Sequence, residues 1–151
     1  VFVRQFSTLQ TYFSETFTRL FGGGRGEICM SDPSDPLGCG IDIIVQPPGK
    51  KRQLLSLFSG GERALTAIAL LFAMLKLKPT PFCILDEIEA ALDDANIGYF
   101  ADYLKEFSQD TQFIVVTHRK GTMERCDTLF GVAMEERGVS SMVSVNLTDY
   151  E

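Results

Sequence analysis

The chain has 151 residues, 45% hydrophobic and 23% charged, with a formal net charge of -6, which is enough polypeptide for one domain with a substantial core. The acidic balance argues against a surface that holds nucleic acid over its whole extent, so any such contact is local. Cys29, Cys39, Cys83 and Cys126 show neither C-x-x-C spacing nor a paired zinc-ligand pattern, which fits reduced thiols in a cytoplasm. The longest apolar run, Ala64 to Leu75, falls short of the roughly 20 residues that cross a bilayer, so no membrane partner is expected.

Phe2, Phe6, Leu9, Phe13, Phe17 and Leu20 recur at spacings of three and four, predicting an amphipathic helix over residues 2–21 that Gly22-Gly23-Gly24 ends. The same spacing suits the last turns of a coiled coil or a helix docked on its own domain, and periodicity does not choose between them. Gly22 to Gly26 is a turn rather than a phosphate loop, because Glu27 and Ile28 stand where Lys and Ser or Thr are needed. Glu27–Met30 and Ile41–Val45 then read as strands of a small antiparallel layer, separated by a turn-rich segment. Pro47 and Pro48 make the following stretch an exposed loop. Its Lys50, Lys51 and Arg52 are either simply solvated or a local contact for DNA or a nucleotide phosphate.

Ser59 followed by Glu62 is a capping-box pattern, so a helix is expected to start at Ser59 and run through the apolar segment to Leu75. Its first N–H groups are unpaired, and Gly60 and Gly61, lacking Cβ atoms, let an oxygen-rich group approach them. With the helix dipole and the Ser59 hydroxyl, this makes a candidate phosphate site. Alone, the pattern describes an ordinary capped helix.

Phe82 to Leu85 is apolar at every position, predicting a parallel strand buried on both faces. Asp86 and Glu87 follow it, then a short acidic helix and a turn. Asp93 or Asp94 caps a longer helix lined by Ile97, Phe100, Ala101, Leu104 and Phe107. Phe113–Val116 reads as a strand, leading to His118, the single histidine of the chain. A short helix over Thr122–Cys126 and a closing hairpin of Thr128–Met134 with Val139–Leu147 complete the chain. The β-α-β alternation implies a parallel sheet with right-handed crossovers.

In open α/β sheets ligands bind beyond the carboxyl ends of the strands. If the two strands are neighbours, Asp86, Glu87 and His118 converge there. Asp86 is then placed to orient water on a Mg²⁺ held by nucleotide phosphates. Glu87 is placed to orient, or take a proton from, the water that attacks the γ-phosphorus. His118 is placed to hydrogen-bond that phosphate or water. Taken singly, the acidic pair equally suits the start of the next helix and His118 an exposed turn. Their order and spacing favour a site.

In that order, Ser59-Gly60-Gly61-Glu62, Ile84-Leu85-Asp86-Glu87, Ala91-Leu92-Asp93 and Val116-Thr117-His118 resemble the signature motif, Walker B strand, D-loop and H-loop of ABC-type ATPases. Within that superfamily the chain looks like the C-terminal head lobe of bacterial structural maintenance of chromosomes (SMC) proteins. Ile41 to Lys51 and Phe113 to Glu124 are similar to bacterial SMC sequence almost throughout. Glu62 and Ile88 stand where transporter ATPases usually carry Gln and Pro, which favours the chromosomal branch. Phe58 replaces a usual Leu, one apolar residue for another.

The resemblance implies an α/β fold: the C-terminal half of an ABC-type, P-loop NTPase-like head, with a parallel sheet flanked by helices, a small antiparallel layer and a closing hairpin. It assigns Ser59, Gly60 and Gly61 to the γ-phosphate of ATP bound to an opposite head. Asp86 matches the Walker B aspartate, Glu87 the catalytic glutamate, Asp93 the D-loop aspartate and His118 the switch histidine. No Walker A sequence occurs in these residues. In the family the lobe that carries it comes from the other end of the polypeptide, so the chain reads as a fragment: residues 1–21 as the end of a returning coiled coil, and residues 22–151 as the head lobe. Expected cofactors are ATP and Mg²⁺. Expected partners are the N-terminal head lobe, a second SMC head in an ATP-dependent homodimer, a kleisin subunit, and DNA through the whole assembly. A cytoplasmic, nucleoid-associated role in chromosome condensation and segregation follows. Alternatives are a kleisin-docking module that never hydrolyses ATP, and a head lobe of a related DNA-repair ATPase.

Overall fold

A computed structural model describes residues 2–146; Leu147, the expected last residue of the hairpin, lies outside them. The first helix, α1 (Phe2–Leu20), turns Phe6, Phe13, Thr16, Phe17 and Leu20 into the core, so most of its apolar stripe docks on its own domain. A buried hydrogen bond of 3.1 Å between the Thr16 and Tyr103 hydroxyls and an Arg19–Glu106 ion pair fix it further. Phe2 and Val3, at the start of the stripe, stay exposed.

The glycine turn returns the chain into β1 (Arg25–Met30), which pairs antiparallel with β2 (Ile41–Gln46), itself paired with β3 (Gln53–Leu54). Gly24 sits at φ +77, and a Cβ there would lie 2.3 Å from the Gln46 carbonyl oxygen. Only glycine fits so close an approach. The two-residue β3 and a 3-10 turn over Leu55–Leu57 are additions to the expected elements, being too short to leave a periodic trace in sequence.

Helix α2 (Gly60–Leu77) and α3 (Asp94–Phe107) cover the parallel pair β4 (Phe82–Asp86) and β5 (Gln112–Val116). Phe72 of α2 ties these layers together, its ring meeting those of Phe100, Tyr103 and Phe107 on α3 and Phe113 on β5 at centroid distances of 5.1–6.3 Å. Such offset and edge-on aromatic contacts add about 0.5–1.5 kcal/mol each beyond the area they bury.

The expectation that the Phe82 strand is buried on both faces is corrected. Cys83, Leu85, Phe113 and Val115 pack into the core, whereas Phe82, Ile84, Ile114 and Val116 are exposed by 49–60%. The run is apolar throughout because it suits a sheet covered on both sides, yet within this chain helices cover one side only. The expected acidic helix after Asp86 is also absent: residues 87–91 form turns, because Glu87 adopts φ 48, outside right-handed helical geometry. Helix α4 (Lys120–Met123) starts two residues before the expected Thr122. The expected hairpin forms from β6 (Thr128–Glu136) and β7 (Val139–Asn146), β6 running two residues past the expected Met134, with an irregularity between Ala133 and Glu136. Among the described residues no helix is long and apolar enough to cross a membrane.

Candidate functional site at the strand ends

Strands β4 and β5 are neighbours, with Asp86 opposite Val116. The Glu87 N–H donates to the Val116 carbonyl at 2.9 Å, so pairing continues one residue past β4 and brings the chain ends after both strands together. His118 Nδ1 lies 3.3 Å from Glu87 Oε1. Their side chains are 64% and 54% exposed, a setting in which a mutual contact adds little stability. Asp86 at the strand end is exposed beside them. The carboxylates therefore point to the rim of the sheet, accessible to a ligand, as the pattern of apolar strand followed by acidic pair predicts.

Glu87 is the one described non-glycine residue with positive φ, a conformation costing about 1–2 kcal/mol for an L-residue. The turn bends the chain sharply, so that Glu87 sits at the rim while Glu89, two residues on, is fully buried. Sequence reasoning missed Glu89. Its Oε1 accepts from the Thr117 hydroxyl at 2.5 Å and the Thr122 hydroxyl at 3.1 Å. A lone acid in an alanine-rich turn carries no periodic signal of burial; only the threonine preceding His118 hints at a partner.

Asp93 is the N-cap of α3, accepting from the Asn96 N–H at 2.9 Å through Oδ1. Arg119 donates to the Leu92 carbonyl at 2.6 Å and lies 3.5 Å from Asp94. The turn before α3 and the turn after β5 are thus joined.

At the other candidate position, Ser59 is the N-cap of α2 and both halves of the capping box are present. Gly60 has open space where a Cβ would stand, while a Cβ on Gly61 would lie 3.1 Å from the Ala91 carbonyl oxygen. The two glycines therefore serve two ends: Gly60 leaves the helix start open, and Gly61 lets the Ala91 turn approach. Among the described residues Ser59 makes no hydrogen bond to Glu87 or His118. The structure brings Asp86, Glu87 and His118 to one rim, and the start of α2 meets the turn that follows them at Ala91.

Burial works to raise the Glu62 carboxyl, but Lys50 at 2.7 Å and hydrogen bonds with the Ser59 hydroxyl and N–H outweigh it and hold the group below its ordinary value of 4.5. A carboxyl depressed in the folded state stabilises the fold above its unfolded pKa, and that contribution is lost as pH falls through the folded value. Thermal melts of the parent chain and Glu62→Gln are therefore expected to differ at about pH 6 by on the order of 1 kcal/mol and to converge as pH falls through the folded value. A constant difference across that range would exclude the charged cap as the cause.

No group of three or more His, Cys, Asp or Glu residues is arranged around a metal among the described residues. A Mg²⁺ carried by nucleotide phosphates and keeping several waters needs only one or two protein carboxylates. Asp86, an exposed oxygen donor at the strand end, fits that requirement.

The RecF/RecN/SMC N-terminal domain family matches residues 35–141. The chain belongs to that family. It is 61% identical over 144 residues to the chromosome partition protein Smc of Bacillus subtilis (strain 168), covering 95% of this chain and 12% of that protein. Smc of Clostridium kluyveri is 60% identical over 147 residues, again over 12% of its length. The chain thus spans about one eighth of these curated relatives. A solved chain from work on ATP-driven dimerization and DNA-stimulated activation of SMC ATPases superposes with a TM-score of 0.90 at 42% identity, over 99% of this chain and 90% of that one. A Smc head domain from Pyrococcus furiosus, bound to the C-terminal domain of ScpA, gives a TM-score of 0.89 at 43% identity, over 98% of this chain and 37% of that one. At these identities the α/β architecture is that of an SMC head domain, an ABC-type ATPase fold.

Proposed function

We propose that the chain is the C-terminal lobe of an SMC ATPase head and supplies half of a nucleotide site. The observation that carries this reading is the meeting of Glu87 and His118 at the ends of adjacent parallel strands, both exposed at the rim. The open sheet face of Phe82, Ile84, Ile114 and Val116 supports it, because it is the surface that an N-terminal, Walker A-bearing lobe would cover. Residues 1–21 are then the end of the returning coil and residues 22–151 the lobe proper.

In this mechanism the Glu87 carboxylate orients the attacking water and takes up its proton. His118, within reach of Glu87, hydrogen-bonds the γ-phosphate or that water. Mg²⁺, when bound beside Asp86 through the phosphates of ATP, supplies neutralisation of charge on the phosphate oxygens. The open start of α2, with Ser59, Gly60 and Gly61, clamps ATP held by a second head, and Asp93 faces the same junction. Hydrolysis releases the two heads. The activity serves chromosome condensation and segregation in the cytoplasm, at the nucleoid, with DNA held by the whole assembly.

A kleisin subunit is the further partner. The exposed Phe130, Val132, Met142 and Val143 on the β6–β7 hairpin favour a docking role for this lobe, which stands beside catalysis rather than replacing it. The ATPase activity of the lobe alone, and of the lobe mixed with a Walker A-bearing lobe of the same protein, separates the two. Turnover only in the mixture supports a divided active site. Absence of turnover in both supports a module that docks and does not hydrolyse.

A further inference from the structure

We propose that Glu89 is a positioning residue: its buried carboxylate holds the turn that presents His118 to Glu87. The inference rests on the reading of Glu87 and His118 given above and adds a residue to it. Glu89 is fully buried, and a polar side chain out of water is costly unless hydrogen bonds compensate it. Those bonds are specific in direction. Oε1 accepts from Thr117, the residue before His118, and from Thr122 of α4. The Thr117 hydroxyl in turn accepts from the Arg119 N–H at 3.0 Å, so the residues on either side of His118 are held by one chain of bonds ending at Glu89.

Oε2 of Glu89 and Nε of Arg119 are buried without a hydrogen-bond partner among the described residues. A core chosen for stability alone would not leave such atoms unpaired. Glu89 also lies two residues from Glu87, so the carboxylate that anchors the histidine turn sits in the same turn as the histidine's partner. Through Arg119 the anchorage extends to the Leu92 carbonyl. The geometry makes Glu89 the common anchor of the turn after β4 and the turn after β5.

Because His118 is the only histidine, its ring gives a single set of imidazole resonances, and that signal reads its placement without any nucleotide. The test uses the 151-residue chain for NMR and the full-length protein for turnover. Glu89→Gln keeps an acceptor oxygen for both threonines; its imidazole signal is expected at the parent position and its kcat within about twofold of the parent. Glu89→Leu removes the acceptor, and Thr117→Val removes one donor at almost unchanged volume. Both are expected to shift the His118 signal and to lower kcat about tenfold with KM for ATP nearly unchanged. If Glu89→Leu does not fold, Thr117→Val carries the test. An unmoved His118 signal in both variants overturns the proposal. A shifted signal with unchanged turnover supports the positioning and instead overturns the assignment of His118 to hydrolysis.

Discussion

Replacing Glu87 with glutamine in the complete protein is expected to lower ATP turnover by about 10²- to 10⁴-fold while ATP binding and head engagement persist. The amide matches the carboxylate in size and keeps an oxygen for His118, so the 3.3 Å contact remains available. It cannot take a proton from water. The strained backbone at φ 48 is unaffected, since Glu and Gln share the same constraint there, and the fold should melt at nearly the parent temperature. Phosphate release read alongside nucleotide-dependent dimerisation separates the two effects. Normal phosphate release from this variant would refute the role given to Glu87.

Replacing Ser59 with arginine is expected to abolish ATP-dependent dimers while ATP binding to the same head survives. Ser59 is exposed at the open end of α2, and among the described residues it makes no hydrogen bond to Glu87 or His118. Loss of its cap costs the helix on the order of 1 kcal/mol, too little to unfold a domain with this core. The larger effect is steric: a long side chain fills the space above Gly60, where a phosphate would rest. Dimers at wild-type levels, measured by size-exclusion chromatography with non-hydrolysable nucleotide, would count against a site that acts on the opposite head.

Much of this was legible before any coordinates. The capping box at Ser59, the stripe of α1, a cap at Asp93 or Asp94 and the hairpin are local devices, written in residues three or four apart or in alternation; each forms, with Asp93 as the cap and the first hairpin strand two residues longer than read. The pairing of β4 with β5 is not local, but the apolar strands ending in Asp86-Glu87 and Thr117-His118 made it the condition on which the site depended, and it holds. What sequence could not disclose was conformation and partnership. Nothing about Glu87 announces a left-handed backbone, because that conformation is imposed by the sharp exit from β4. Nothing about Glu89 announces burial, since its partners come from residues 28 and 33 positions away. The one-sided sheet was misread for a different reason: a strand's composition reports the environment it is built for, and this chain alone furnishes half of it.

That half-covered sheet bears on the behaviour of the isolated chain in solution. Among the described residues, β4 and β5 form a pair with both outer edges unpaired, and the bare side carries three aliphatic side chains, Ile84, Ile114 and Val116, and one aromatic ring, Phe82. Free strand edges beside an apolar plane are templates for self-association. The surplus of six negative charges opposes this by mutual repulsion between copies, so raising the ionic strength weakens that repulsion and favours clumping.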